Sequence, residues 1–417
     1  MPIRQAVIFC GGRGERLRPL TDHLPKPMTE VNGRPFLWHL LNQLAKKATP
    51  RFLLLTGYLG EKVRDYFGDG SKWGWTIQYN QGPVKWDTGR RLWEARDLLE
   101  EDFLLAYSDN FVQFRPDWLL ARLVEDPRSL SLHLAPKKKG NIRLGLGDKI
   151  ECYDPSRTEP DLGYVEVGYM MVKKAEVLQV LTSIPRFPDV SFSMVLQEFA
   201  RLGRLAGLVI RDPYHSIGDL QRLELARQYL KPHKILLIDR DGTINLKAPQ
   251  GEYVTSWAGF EWLPGSREGL VELSRAGFRF IVITNQAGVA RGMVDPEELR
   301  KIHENMVSEL ALDGVTILQI YTCTDHWETN SYRRKPNPGM FYEATSDFGF
   351  RLDRSLYVGD DLRDCLAAKN AGCDSILIGP ERHKLHSSAS SPRASADTLL
   401  EAVPVILQAY LEWEEQP

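Results

Sequence analysis

Two aspartates one residue apart, Asp239 and Asp241, follow directly on the apolar run Ile235-Leu236-Leu237-Ile238 and precede Gly242-Thr243. Carboxylates at the end of a buried strand suit phosphoryl transfer: Asp239 can attack phosphorus, and Asp241 can hand a proton to the leaving oxygen. Side chains on a strand alternate between faces, so the pair needs a turn to reach one pocket, and Gly242 permits it. Three further segments carry matching chemistry. Thr284-Asn285-Gln286 closes the apolar run Phe280-Ile281-Val282-Ile283 and offers a hydroxyl and two amides to phosphate oxygens. Lys335, within Arg333-Arg334-Lys335-Pro336, can neutralise a phosphate and a phospho-aspartate. Gly359-Asp360-Asp361, after the run Ser355-Leu356-Tyr357-Val358 and with Asp364 behind, supplies the hard oxygen ligands that Mg²⁺ prefers.

A second chemistry opens the chain. The short apolar run Ala6-Val7-Ile8-Phe9-Cys10 ends in Gly11-Gly12-Arg13-Gly14-Glu15-Arg16. Glycines there let backbone amides approach a triphosphate, and Arg13 and Arg16 add charge. Phe103-Leu104-Leu105-Ala106-Tyr107 leads to Ser108-Asp109-Asn110, a second carboxylate at a strand end.

The C-terminal half resembles the haloacid dehalogenase superfamily of Asp-nucleophile phosphatases, and within it the heptose 1,7-bisphosphate and histidinol phosphatases. The resemblance rests on Asp239-Arg240-Asp241-Gly242-Thr243-Ile244-Asn245, Trp262-Leu263-Pro264-Gly265, the segment from Thr284 to Gly292, that from Arg334 to Met340, and Val358-Gly359-Asp360-Asp361. It implies Asp239 as nucleophile and Asp241 as acid and base. It implies Thr284 and Lys335 as phosphate binders, Arg291 and Arg334 as substrate-phosphate contacts, and Mg²⁺ on Asp239, Asp241 and Asp360. That family often carries a structural zinc loop. Here Cys323 and His326 remain, but Ser331-Tyr332-Arg333 occupies the second arm, and two ligands do not close a tetrahedral site. No structural zinc is expected.

The N-terminal half resembles the sugar-1-phosphate nucleotidyltransferases, through Gly11 to Leu17, Arg18-Pro19-Leu20-Thr21 and Pro25-Lys26-Pro27-Met28. The resemblance implies that Arg16 and Lys26 bind the triphosphate and stabilise attack at the α-phosphorus, and that Asp109 holds Mg²⁺. Further on the pattern drifts. In the segment Pro83 to Arg91, which the family uses to contact sugar and base, Thr88-Gly89 survives but Asp87, Arg90 and Arg91 depart. Tyr153-Asp154-Pro155-Ser156 stands near the family's Glu-Lys pair, and Glu166 replaces an Asn. Ser216 stands where a second metal carboxylate is expected, with Asp219 nearby. The domain is thus read as an active transferase with an altered sugar pocket; a non-catalytic nucleotide or sugar-phosphate module is the alternative.

The elements that must position these groups alternate strand and helix through both halves. That pattern predicts an α/β fold: two Rossmann-like parallel-sheet domains in tandem, nucleotidyltransferase-like and then haloacid dehalogenase-like. The expected boundaries are residues 1–230, a linker 231–233, and 234–417. Leu220 to Leu230 is expected to be the helix that closes the first domain, and Leu399 to Trp413 a terminal helix. The Ser-rich basic stretch Glu381 to Ala394 is expected to be a loop. Trp73, Trp75, Trp86 and Trp93 leave two readings open, core packing and a stacking surface for sugar or base.

Composition sets outer limits. At 417 residues, 43% apolar and 26% charged, the chain suits two or three globular domains. A net charge of −2 exerts no pull toward nucleic acid or membrane. Five scattered cysteines show no disulfide framework, no apolar signal core is visible, and no run reaches the ~18 residues that span a bilayer, so a cytoplasmic enzyme is expected. The expected partners are a sugar phosphate and a nucleoside triphosphate. Together the resemblances imply a phosphatase that leaves a sugar 1-phosphate, D-glycero-D-manno-heptose 1,7-bisphosphate being the implied substrate, fused to a guanylyltransferase-like domain that activates it.

Overall fold

The computed structural model describes residues 3–126, 129–380 and 391–415. The chain divides into two compact α/β units, Met1–Gln228 and Tyr229–Pro417. The division falls inside the helix Leu220–Leu230.

The first unit is built on a nine-stranded sheet. Its centre is parallel: Ala6–Cys10 lies between Arg51–Thr56 and Asp102–Tyr107, and Thr76–Gln81 extends it beyond Arg51–Thr56. The sheet is not parallel throughout. Tyr164–Lys173 runs antiparallel to Asp102–Tyr107 and to Leu130–Pro136. Alternate residues of Ala6–Cys10 enter two separate cores, Ile8 one and Val7 and Phe9 the other. Burial on both faces explains a strand that is apolar at every position rather than at every second one.

The second unit carries a six-stranded sheet in the order Ile317–Cys323, Arg279–Asn285, Ile235–Ile238, Leu356–Gly359, Asp374–Ile378, Ala394–Ala396, with every neighbour parallel. Leu236 and Ile238 face one core, Ile235 and Leu237 the other. The expected loop 381–394 lies outside the described residues over 381–390, and Ala394 already begins a strand. The terminal helix Leu399–Glu415 buries Leu399, Val403, Ile406 and Tyr410 against the first of these cores, although Pro404 lies inside it. Among the described residues no helix is long and apolar enough to cross a membrane.

In both units the motif residues stand just past the C-terminal ends of parallel strands. Side chains there project from the sheet's edge rather than into either core, which is where open α/β sheets bind ligands.

Candidate active sites

In the second unit the parallel strands deliver Asp239, Thr284, Asn285 and Asp360 to one cavity of about 400 Å³. Lys335 enters from the loop before the helix Gly339–Phe348. It is 5% exposed, and its ammonium lies 2.9 Å from Asp239 and 2.8 Å from Asp364. It also donates to the Tyr357 hydroxyl at 2.7 Å, which in turn donates to the Ile283 carbonyl at 2.9 Å. Burial works against the Lys335 charge, but Asp239 and Asp364 outweigh it and hold its pKa above the ordinary value. Burial pushes the Asp239 carboxyl up to about 7; Lys335 opposes the rise, and Asp364 and Asp360 add to it.

Asp239, Asp360 and Asp364 bring ligand oxygens within 4.8 Å of one another. Crowded buried carboxylates are costly without a cation, and their hard oxygens suit Mg²⁺. Asp364 is already engaged with Lys335 and caps the helix Leu362–Ala371 in a reciprocal box with Asp361. Asp239 also meets Lys335 and Asp360 meets Lys247, but neither is tied into the helix cap, so Asp239 and Asp360 are the groups that could turn toward an ion. Gly242, at φ 83°, makes the approach possible, since a Cβ there would lie 2.3 Å from an Asp360 oxygen.

Asp241 is not among the converging carboxylates. Arg240, fully buried, turns back and donates to it through Nη2 at 2.9 Å, Gln286 donates at 2.7 Å, and Asn245 at 2.9 Å. Burial would raise its pKa, but the Arg240 charge and these donors together hold it below the usual carboxylate range. It is thus ionised. Gln286, expected to meet phosphate, instead binds Asp241 and the Thr284 hydroxyl and does not line the cavity. Asn285 lines the cavity, but its amide also clasps the Lys335 backbone in both directions at 3.1 Å.

Arg291 and Arg334 line the cavity's outer part. The Arg291 guanidinium lies 5.2 Å from the Trp327 ring centre and 5.8 Å from that of Tyr253. Trp327 follows directly on His326, in the segment that begins at Cys323. There the Cys323 thiol faces Asp325 at 3.7 Å, and His326 accepts from the Glu328 amide at 3.4 Å. The second arm is held by protein bonds: Asn337 donates to the Ser331 carbonyl at 2.9 Å, and Arg333 pairs with Glu343 at 2.8 Å. Sequence reasoning missed Tyr253, Trp327 and Lys247, whose ammonium lies 2.7 Å from Asp360. Lys247, two residues past Asn245, carried a positional signal; Tyr253 stands in a loop and Trp327 on a single 3₁₀ turn, neither with a periodic pattern.

In the first unit a cavity of about 520 Å³ is lined by Gly11, Gly12, Arg13, Gly14, Arg16, Lys26, Thr88 and Asp109. Lys26 donates to Asp109 at 2.5 Å, so a metal at Asp109 must displace that ammonium. Arg13 and Arg16 are exposed at its mouth. Thr88 lines the wall while its hydroxyl accepts from the Phe192 amide at 2.7 Å. Gly89 does not line the cavity; a Cβ there would meet the Val190 carbonyl at 2.7 Å, so its role is close packing. Ser216 pairs across a short ladder with Asn110, beside Asp109. Asp219 caps the helix Leu220–Leu230 through the Arg222 amide at 2.9 Å and is absent from the cavity wall. Asp154 organises its own turn, accepting from Ser156 and Thr158, and Glu166 accepts from Tyr153 and Asn141.

The four tryptophans divide. Trp75 is buried and Trp73 packs against the same core, and Trp93 meets Phe187 edge-on at 4.8 Å. Trp86 alone of the four lines the cavity.

A nucleotidyl transferase family profile matches residues 5–141, and a HAD-hydrolase-like profile matches residues 332–402. The chain is 37% identical over 142 residues to a D-glycero-beta-D-manno-heptose-1,7-bisphosphate 7-phosphatase of Rhodopseudomonas palustris, covering 77% of that protein and 32% of this chain. It is 28% identical over 217 residues to the bifunctional protein GlmU of Methanococcus maripaludis, and spans about half of that relative's length, 51%, with 51% of its own. A solved D,D-heptose 1,7-bisphosphate phosphatase from B. bronchiseptica, complexed with magnesium and phosphate, is 31% identical. It aligns over 42% of this chain and 98% of that one with a TM-score of 0.39.

Proposed function

From a chain that belongs to the heptose-1,7-bisphosphate 7-phosphatase family, and is an enzyme with a nucleotidyltransferase domain as well, we propose two consecutive reactions on one sugar. The second unit removes the 7-phosphate of D-glycero-D-manno-heptose 1,7-bisphosphate. The first unit joins the resulting heptose 1-phosphate to GTP and releases pyrophosphate. The observation that carries the first step is the buried Lys335 ammonium bridging Asp239 and Asp364 at the floor of a cavity lined by Thr284, Asn285 and Arg334.

Asp239 attacks phosphorus, the bond from phosphorus to the C7 oxygen breaks, and that oxygen takes a proton from Asp241. Water then attacks the phospho-Asp239, gives its proton to Asp241, and phosphate leaves. Asp241, ionised in this structure, is in the form required for the second half-reaction, and the proton it takes there from water is the one it gives to the C7 oxygen in the next turnover. Mg²⁺ held by Asp239 and Asp360 would supply the charge that lets a carboxylate approach a phosphate dianion. Lys335 fixes the Asp239 oxygen that is not attacking. Thr284 and Asn285 orient the phosphate, and Arg291 with Arg334 meets the phosphate at the far end of the sugar.

In the other unit the sugar phosphate oxygen attacks the α-phosphorus and the bond to the β-phosphate breaks. Arg16 and Lys26 stabilise the charge that develops, with Asp109 as the residue for Mg²⁺.

The full chain with the bisphosphate, GTP and Mg²⁺ tests both steps by ion chromatography of phosphate and pyrophosphate and mass spectrometry of the sugar nucleotide. Phosphate release without selectivity for position 7 would remove the substrate assignment. Pyrophosphate release only with another nucleoside triphosphate would remove guanine. The proposal includes no structural zinc, and elemental analysis that finds one tightly held zinc per chain would overturn that part.

A further inference from the structure

We propose that Arg91 is the fixed counter-cation of the polyphosphate bound in the first unit's cavity, acting from beneath the glycine loop; this rests on the nucleotidyltransferase reading. Arg91 lies in the segment Pro83 to Arg91, where the sequence departs from the family pattern.

It stands on the helix Thr88–Glu94 and is 3% exposed, yet it lines the cavity. Its guanidinium donates through Nη1 to the Thr56 carbonyl at 2.7 Å and through Nη2 to the Pro83 carbonyl at 2.8 Å. A Cβ built on Gly11 would lie 2.4 Å from the Arg91 Cζ, and one built on Gly57 2.6 Å from Nη2. The guanidinium therefore lies directly against the main chain at the start of the phosphate loop. Gly11 is required because of the side chain behind it as well as the ligand in front.

No described carboxylate touches the charge; Asp87, on the same cavity wall, offsets it only from beyond contact distance, and burial keeps the Arg91 pKa below its ordinary value. Among the described residues no carboxylate lies within 4 Å of the Arg91 nitrogens, and its acceptors are neutral carbonyls. An arginine does not shed its proton in proteins, so a buried cation persists, and such a charge is costly until an anion arrives. The nearest acids are otherwise engaged. Asp109 binds Lys26, and Asp87 accepts from the Thr88 amide at 2.8 Å to cap the helix that carries Arg91. Asp87 leaves the charge only partly offset, so the cavity favours a further anion against Arg91, and the chemistry that fits is a polyphosphate. The replacement of a second carboxylate by Ser216 acts in the same direction, since one acid fewer and one buried cation more favour a polyanion.

A purely structural role, in which Arg91 staples the ends of Arg51–Thr56 and Thr76–Gln81 beneath Gly11, makes a different prediction. The full-length protein is titrated calorimetrically with inorganic tripolyphosphate, GTP and GMP, as wild type, Arg91→Lys and Arg91→Gln. Melting temperature and phosphatase rate serve as checks on folding. A counter-cation predicts that Arg91→Gln weakens tripolyphosphate and GTP by at least about tenfold and GMP by less, while Arg91→Lys stays within about threefold. Equal losses for all three ligands in both variants would make Arg91 a staple only and overturn the proposal. Should Arg91→Gln not fold, Arg91→Lys decides, because retained tripolyphosphate affinity requires charge rather than the guanidinium fork. If Arg91→Gln binds as wild type does, this proposal falls and the transferase reading stands. If wild type binds neither GTP nor tripolyphosphate, both fall.

Discussion

The two cavities solve the problem of holding phosphate with opposite charge balances. The phosphatase cavity is lined by six carboxylates and five cations, and its floor packs Asp239, Asp360 and Asp364 against a single buried ammonium. The transferase cavity is lined by three carboxylates and four cations, and Asp109, the carboxylate proposed to hold a metal, is already paired with Lys26. An excess of buried acid calls for a metal before a dianion can enter. An excess of cation attracts a polyanion first and lets a metal arrive with it. The difference fits the proposed chemistry, in which the first site presents a carboxylate to phosphorus while the second need only position two substrates and stabilise a leaving pyrophosphate.

The two activities should separate by single substitutions. Asp239→Asn should lower phosphate release on the order of 10⁴-fold or more, as loss of a nucleophile does, and leave pyrophosphate release from heptose 1-phosphate and GTP unchanged. A residual rate near wild type would show that another group attacks. Lys26→Ala is the converse. It should cost transfer about 10²- to 10³-fold, the loss expected for one charged donor at a developing anion, with phosphatase turnover intact. Parallel loss of both activities would show that the sites do not act separately.

Protonation offers a smaller contrast. Burial, aided by the nearby Arg115 charge, pulls His133 in the first unit down to about 3. Burial and the Arg240 charge do the same to His303 in the second, where its Nε2 lies 2.9 Å from the Arg240 guanidinium. A histidine whose folded pKa is depressed is neutral in the native state while the unfolded chain takes up a proton below about 6.5. Its contribution is therefore present at pH 7 and lost as pH falls from about 6.5 toward 3, by about 2 kcal/mol at pH 5. In the second unit Asp239 opposes this loss, because its raised pKa lets the native state bind a proton between about 7 and the ordinary carboxylate range. His133→Phe and His303→Asn should therefore each flatten the fall in melting temperature of their own unit between pH 7 and 5, the wild-type fall being shallower in the second unit because of Asp239, measured by calorimetry with chelator present. Identical slopes in wild type and His133→Phe would exclude His133 as the titrating group.

The smallest expected effect sharpens the metal contrast. With a single carboxylate, transfer should need more Mg²⁺ for half-maximal rate than phosphate release does. Ser216→Asp, placed beside Asp109, should lower that requirement a few-fold, on the order of 1 kcal/mol of binding. No change in the Mg²⁺ dependence would show that residue 216 does not reach the metal.

Much of this molecule was legible in the sequence. Continuous apolar runs of four or five residues, each ending in Asp, Thr or Gly, marked strands buried on both faces and the sheet edge where function belongs. Ile235–Ile238 and Ala6–Cys10 are such strands, because a run apolar at every position suits only a strand covered on both sides. What each motif residue does there depended on neighbours distant in sequence. Whether Asp241 faces the other carboxylates or Arg240 is decided by Gln286 and Asn245. Whether Trp86 joins the core with Trp75 or lines the cavity depends on a loop that carries no periodicity. That Arg91 lies under Gly11 is a contact across 80 positions that no spacing rule encodes. Local chemistry along the chain determined the strands and the groups able to react; only the tertiary structure decided which charges meet, because pairing in a buried site depends on distance in space and on which side chain reaches the partner first.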